Sequence, residues 1–422
     1  MEIFCIGLTL VYSRMIRKEQ SVMKLKYFNL KVILPFFFLI LMILLGYSFC
    51  REENVRSEFK NEQLVEDFDY LWGVLENEYI FLPVLEERSI DIDNIRRSTR
   101  EQIIKQKPDI ELYYNLLDEM FAKMDYFAHL SLVDWHNYKI YKEHYNSEES
   151  PETEWKNVLQ NPQTKFIYEQ VLSKRNLNYS NVDFSDIEGT YYENQKVLVF
   201  RIKSFDPSFL NRNANFISNH VESLGTVQID HIVFDISGNI GGSDLVWREN
   251  IVKVFGGDYE WKYYLYLRNT ELMKKYYKNF DVQLIRNQLE QDKIPLFCNQ
   301  LGLTDYYIVE DEISGILQVN EEAANAKRWV LIDNKVYSAA DSFASFCKMT
   351  GWATLVGTTT KGDGMGITPL LITLPNTGLL MRFSGTASAN EEGDLNAIYG
   401  TTPEYYSTKW ENPFSTFLRI IE

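Results

Sequence analysis

Three short segments carry residue types that could do chemistry. Asp235-Ile-Ser-Gly238-Asn239-Ile-Gly241-Gly242-Ser-Asp244 follows a strand-like apolar run and leads into a helical pattern over 245–255. Glycines at such a junction permit tight turns and leave N–H groups unblocked at a helix start, which suits an anion or a developing oxyanion. A plain glycine turn capped by Ser243 or Asp244 fits the same residues. Val336-Tyr337-Ser338-Ala339-Ala340-Asp341 joins another strand to a helix. A serine there is exposed, with the next N–H pointing where an oxyanion would form; such junctions hold nucleophiles in several unrelated hydrolases. Equally, Ser338 could be an N-cap, with Asp341 completing a capping box. The third segment, Val356-Gly357-Thr-Thr-Thr-Lys361-Gly362-Asp363-Gly364-Met-Gly366, resembles a phosphate cradle only superficially, because the Walker spacing is absent.

The elements that must position these segments follow from periodicity. Leu64, Phe68, Leu71, Trp72 and Leu75 trace one helical face, and Leu112, Leu116, Leu117, Met120 and Phe121 trace another, so a small helical lobe is expected over 61–145. Residues 146–189 are polar and acidic in their first part and read as an insertion or linker; Glu148, Glu149, Glu152 and Glu154 are most simply a solvated face. From about 190 the texture becomes strand, helix, strand: strands at 196–202, 232–236, 328–333, 353–356 and 378–383, helices at 209–224 and 339–349. That alternation argues for a layered α/β domain over 190–410, interrupted by a Tyr- and Lys-rich insertion or cap at 258–325 and followed by a tail, 411–422.

Composition narrows the classes of function. The 422 residues are 45% hydrophobic and 24% charged, enough for real cores, and the net charge of −16 repels phosphate backbones, so nucleic acid is not an expected partner. The four cysteines are too scattered for a disulfide framework or a zinc knuckle. Of the five histidines, His136, His144, His220 and His231 draw structural readings, and none pairs at metal-ligand spacing; no metal or other cofactor is expected. Near the amino terminus, Val32 to Cys50 carries no charge, with Lys24, Lys26 and Lys31 before it and Glu52 and Glu53 after it. Residues 1–50 therefore read as a signal anchor, a cleaved signal, or a lipoprotein signal ending at Cys50, for which Tyr47-Ser48-Phe49 is a poor lipobox. Starting at Met23 would give a signal of ordinary length. All three readings place residues 51 onward, which begin with the charged linker 51–60, outside the cytoplasm, attached to a membrane in two of them.

Taken together and in this order, the three segments resemble the C-terminal processing and tricorn-core serine peptidases, the tail-specific proteases among them. The family pattern Asp-x-Arg-x-Asn-x-Gly-Gly is matched by Asp235 to Gly242 with Ser237 in the arginine place. Ser-Ala-x-Glu is matched by Ser338 to Asp341, Val-Gly and its glycine-rich loop by Val356 to Gly366, and Gly-x-x-Pro-Asp by Gly400 to Glu404. The resemblance covers 190–406, and the helical lobe more faintly. It implies a crotonase-like or Clp-protease-like ββα catalytic domain; the PDZ domain of many relatives is not expected, since too few residues separate His129 from Lys196. It also implies a polypeptide substrate cleaved through an acyl-enzyme, with Ser338 as nucleophile and the N–H groups of Gly241 and Ala339 as the oxyanion hole. One branch of the family uses a lysine in Gly-Lys-Gly, where this chain has Gly362-Asp363-Gly364 and the nearest lysine is Lys361. The tricorn-like branch uses a histidine of the helical lobe, matched by His129, and a late glutamate to orient it, where this chain has Ala397. Asp363, Glu392 and Asp394 are the acidic residues that could orient the ring instead. Two further readings stay open: a member that lost catalysis and holds peptides or glycans, and a crotonase-like lyase or hydratase acting on a thioester, which the acidic balance disfavours.

Overall fold

In the computed structural model of the protein, the described residues are 59–145, 153–174, 187–207, 210, 214–278, 283–284, 294–389 and 394–422. The uncharged run Val32–Cys50 lies outside them; among the described residues no helix is long and apolar enough to cross a membrane. The helical lobe forms where the apolar spacing places it. Asn61–Glu78 buries Leu64, Phe68, Leu71, Trp72 and Leu75. Ile92–Lys105 starts on Asp91, which accepts from the Asn94 N–H, and Ile110–Lys123 starts on Asp109, which accepts from Glu111 and Leu112. The last helix buries Ile110, Tyr113, Leu117, Met120 and Phe121, a set that leaves Leu112 exposed rather than inward.

The strands, in chain order, are β1 (Ser131–Leu132), β2 (Glu188–Tyr192), β3 (Val197–Arg201), β4 (His231–Asp235), β5 (Gly257–Leu267), β6 (Gln283–Leu284), β7 (Asp305–Gly315), β8 (Lys327–Ile332), β9 (Thr354–Gly357), β10 (Leu370–Thr373), β11 (Leu380–Phe383), β12 (Ala387–Ala389) and β13 (Tyr405–Tyr406). Six of them form the central sheet in the order β13-β9-β8-β4-β3-β2, parallel except for the β2 edge. One face packs on Phe343, Ala344, Phe346 and Cys347 of the helix Ala339–Thr350 and on Ile217 and Val221 of the helix Phe216–Leu224. On the other face, Phe417 of the helix Pro413–Ile421 sits among Val197, Val199, Val233, Trp329, Leu331 and Val356. A layered α/β domain is the result, and among the described residues no PDZ domain is evident between His129 and Lys196.

Several expected boundaries are revised. The stretch read as a linker is helical at Glu154–Gln160 and Pro162–Phe166, because Trp155, Leu159, Ile167 and Tyr168 are buried against the helical lobe. Of the helix expected over 209–224, the described residues show a regular helix at Phe216–Leu224, and the one expected over 245–255 is a short turn, Asp244–Trp247, continued in wider and tighter helical turns to Phe255. The expected tail is the helix whose Phe417 completes the second face of the sheet. The 258–325 segment supplies β5 and β7, a long antiparallel pair, and β5 also pairs with β12 of the later chain. It is therefore woven into the domain through a second sheet rather than laid over it. In a third sheet, β1, which follows His129, pairs with β11, tying the end of the helical lobe to the hairpin β10–β11.

Candidate active site

Loops leaving the carboxyl ends of parallel strands are where α/β sheets gather functional side chains, and all three sequence segments are such loops. The one after β4 is fixed by Asn239, fully buried, whose Nδ2 donates to the Ile202 carbonyl while its Oδ1 accepts the Gly241 N–H at 2.9 Å. Gly241, at φ 103°, lies so close to the β8 loop that a Cβ would stand 2.7 Å from the Tyr337 carbonyl and 2.9 Å from Ser338 Cβ. Only glycine permits that approach. Tyr337 and Gly362 form a parallel bridge, and the Ser338 N–H donates to the Gly362 carbonyl, which docks the third loop against the second.

Ser338 does not cap its helix with its side chain. Its backbone is held at φ 53° and ψ −129°, and its Oγ lies 2.9 Å from His129 Nε2. The imidazole comes from the tight turn after the helix Ile110–Lys123, where Asp125, Tyr126, Ala128 and His129 all have positive φ. The Tyr79 hydroxyl donates to the Phe127 carbonyl, and the His129 N–H donates to the Tyr337 hydroxyl, so the turn is tied at both ends. The other ring nitrogen, Nδ1, lies 2.5 Å from Asp363 Oδ2 and 3.0 Å from Ser384 Oγ. Asp363 is buried and itself sits at φ 59°. Residues with side chains in this left-handed region each cost of order 1–3 kcal/mol. Serine, histidine and aspartate of one hydrogen-bonded chain all adopt it.

Two further residues complete the cluster, and neither was singled out by the sequence. The Tyr337 hydroxyl donates to Asp363 Oδ2 at 3.2 Å, and the Ser384 hydroxyl donates to the same oxygen at 2.9 Å. Burial first, then the negative charge of Asp363, push the Tyr337 phenol well above its ordinary range, so it remains a donor. The only sequence signal for Tyr337 is its place before the serine; Ser384 has none, since its role depends on β11 pairing with β1.

Asp341 is not half of a capping box. Fully buried, it accepts from the Thr360 hydroxyl, the Asn396 side chain and the Gly364 N–H, so it pins the loop that carries Asp363 from both sides. Burial raises its pKa, against the pull of these hydrogen bonds.

The remaining candidates fall into different places. The Gly241 N–H is already engaged by Asn239, so it is not a free oxyanion donor here; that part of the expectation is revised. Ala339 N–H, in the first helical turn, and the N–H of exposed Gly242 have no acceptor among the described residues. Lys361 lies 3.7 Å from the Asp125 carboxylate and over the Tyr337 ring, on the outside of the cluster. Asp394 is exposed and is not a partner of the imidazole, and Glu392 lies outside the described residues. Ala397 is buried and has nothing to orient a ring with, but Asp363 occupies that role's position from another loop. Among the described residues no cluster of His, Cys, Asp and Glu could hold a metal ion.

The family model that describes peptidase family S41 matches residues 196–407, half of the chain. The chain belongs to peptidase family S41. It is similar to mature CPAF (12% identity, TM-score 0.49, 86% of this chain and 96% of that one). It is also similar to a lipoprotein from Streptococcus agalactiae (13%, 0.40, 78% and 87%) and to the photosystem II D1 C-terminal processing protease (13%, 0.33, 53% and 46%). No curated protein sequence matches the chain significantly.

Proposed function

We propose that this S41 peptidase cleaves polypeptide segments through an acyl-enzyme formed on Ser338. The observation that carries the reading is the hydrogen-bonded chain from Ser338 Oγ to His129 Nε2 (2.9 Å) and from His129 Nδ1 to Asp363 Oδ2 (2.5 Å). In this reading Ser338 Oγ attacks the scissile carbonyl carbon as His129 Nε2 takes its proton. Asp363 holds the Nδ1–H tautomer and stabilises the imidazolium. The oxygen of the tetrahedral intermediate is received by the Ala339 N–H and, with Gly241 occupied, by the Gly242 N–H, a contribution of a few kcal/mol to the barrier. The imidazolium then protonates the departing amine, and a water, deprotonated by the same ring, releases the acyl group. The positive φ at all three residues supports the assignment, because strain of this kind persists where function requires a fixed geometry.

The finer reading is that the peptidase works outside the cytoplasm, attached through residues 1–50, on unfolded or C-terminal segments. The lysine-flanked uncharged run before Cys50 supports the location. The test of the whole is direct. Purified protein is treated with a fluorescent fluorophosphonate and assayed on unfolded casein and on peptides, alongside Ser338→Ala. Labelling and turnover that vanish together in the variant support the reading. Turnover that survives in Ser338→Ala removes the nucleophile, and absence of both in the wild type leaves a peptide-holding module.

A further inference from the structure

Arg382 lies on β11 directly opposite Ser131 of β1. Two residues further along the same strand direction is Ser384, whose hydroxyl touches both Asp363 and His129 Nδ1 and whose N–H donates to the Ala128 carbonyl. Ser384 lies just past the end of β11, and the guanidinium is tied to the histidine turn by its own hydrogen bonds. Its Nε donates to Ser131 Oγ at 2.9 Å, and Ser131 Oγ in turn reaches the His129 carbonyl at 3.4 Å. One further bond runs from Nη1 to the Tyr141 hydroxyl at 3.3 Å.

These partners are all neutral. Among the described residues no carboxylate lies within ion-pair distance of Arg382, and Asp134 acts on it only through space. The chain nevertheless has 59 acidic side chains against 43 basic ones. Arg382 is only part-exposed, and a guanidinium withdrawn from water without a paired counter-charge is costly. The cost is not needed for packing: the neighbouring positions of β11, Leu380, Met381 and Phe383, are apolar and buried. The fork is held by its Nε and one Nη1 contact, which leaves Nη2 and the second Nη1 hydrogen to donate together. That pair of parallel donors fits the two oxygens of a carboxylate.

We infer that Arg382 is a substrate-binding residue that receives a carboxylate of the polypeptide one or two residues from the bond attacked by Ser338. The inference rests on the peptidase reading above and adds a specificity to it. An acidic side chain and the carboxyl terminus of the chain present the same chemistry, and the experiment separates them.

Fluorogenic peptides are made in matched pairs that differ only by Glu or Gln at each of the three positions on either side of the cleaved bond, with one further pair ending in a free acid or an amide. The kcat/KM ratio within each pair is measured for the wild type, Arg382→Gln and Arg382→Lys, so that any general loss in a variant cancels. The wild type is expected to favour the carboxylate member at one position by about tenfold or more, in line with a charge-assisted hydrogen bond. In Arg382→Gln the ratio falls to about one, and Arg382→Lys, which keeps a charge but not the fork, retains part of it. Preference confined to the free-acid pair assigns the site to the chain end, and preference within a Glu/Gln pair assigns it to a side chain. Equal turnover of every pair by the wild type, or a preference that survives Arg382→Gln, overturns the inference. The same pairs are titrated onto Ser338→Ala by fluorescence anisotropy, with and without Arg382→Gln. A carboxylate preference in binding that depends on Arg382 supports the inference even if no peptide is cleaved, a result that would sink only the peptidase reading; absence of that preference in binding overturns it.

Discussion

Asp363 Oδ2 lies 2.5 Å from His129 Nδ1, across 234 positions of sequence. In the proposed mechanism the aspartate, at the loop position where one branch of the resembled family carries its lysine base, takes the orienting role that the other branch gives to a late glutamate, here Ala397. A single carboxylate thus converts a lysine-type loop into support for an imidazole. Asp363→Asn should preserve the fold and lower kcat by about four orders of magnitude, because an amide lets the ring hold the wrong tautomer. Lys361→Ala, which removes only an ion pair with Asp125 on the outside of the cluster, should leave fluorophosphonate labelling of Ser338 within about threefold. Loss of labelling in Lys361→Ala together with full labelling in Asp363→Asn would reverse the assignment.

Tyr337 contributes through two bonds at once: it accepts the His129 N–H at 2.8 Å and donates to Asp363 at 3.2 Å. Removing the hydroxyl leaves a buried N–H without its partner and Asp363 with one donor fewer, a loss of about 1–3 kcal/mol at a buried polar group. Tyr337→Phe is therefore expected to lower kcat by roughly tenfold to a hundredfold with KM little changed, since the hydroxyl is engaged by His129 and Asp363. A rise in KM at constant kcat would place the tyrosine in substrate binding instead.

Gly364 follows Asp363 and passes so close to the catalytic helix that a Cβ would stand 2.2 Å from the Ser342 N–H and 2.5 Å from the Ser338 carbonyl. Both are backbone atoms and cannot step aside cheaply. Gly364→Ala should push the loop outward, take Asp363 from the ring and reproduce the kinetic loss of Asp363→Asn, with a melting temperature several degrees lower as well. Activity within twofold of wild type would mean that the loop tolerates displacement and that Asp363 is not positioned by this contact.

Much of this arrangement was legible in the sequence. The strand, helix, strand rhythm after residue 190 and the glycine-rich segments at 238–242 and 357–366 needed only periodicity and backbone chemistry, and the order of the motifs brought out His129. Asp363 was visible only as one of several acidic candidates, because its choice over Asp394 depends on the Tyr337–Gly362 bridge that sets how the third loop docks. The 146–189 stretch misled because its acidic start hides Trp155, Leu159 and Tyr168, which only find a surface once the helical lobe exists. The Gly241 N–H was an expected oxyanion donor; its capture by Asn239 is a side-chain event two residues away that spacing does not reveal.

Asp244, on the loop that also carries Gly241, gives the fold a dependence on pH that is separable from catalysis. Burial pushes its carboxyl up to about 6, partly offset by the Trp247 indole, the Arg248 charge and the Ser342 hydroxyl, which donates to it at 3.2 Å. A carboxyl whose folded pKa is raised contributes stability that is fully present below its unfolded pKa, near 3.8, and is lost as the pH climbs through about 6. Two pKa units correspond to roughly 3 kcal/mol, an upper bound for a side chain that keeps some contact with water. The wild type should therefore lose stability between pH 4.5 and 7.5 relative to Asp244→Asn, which cannot ionise, and the gap between their melting temperatures should shift by a few degrees across that range in favour of the variant at the higher pH. Calorimetric melting of both proteins at the two pH values measures it. Parallel melting curves, with a constant gap between the two proteins, would mean that Arg248 and the hydrogen bonds already stabilise the ionised carboxylate as well as water does.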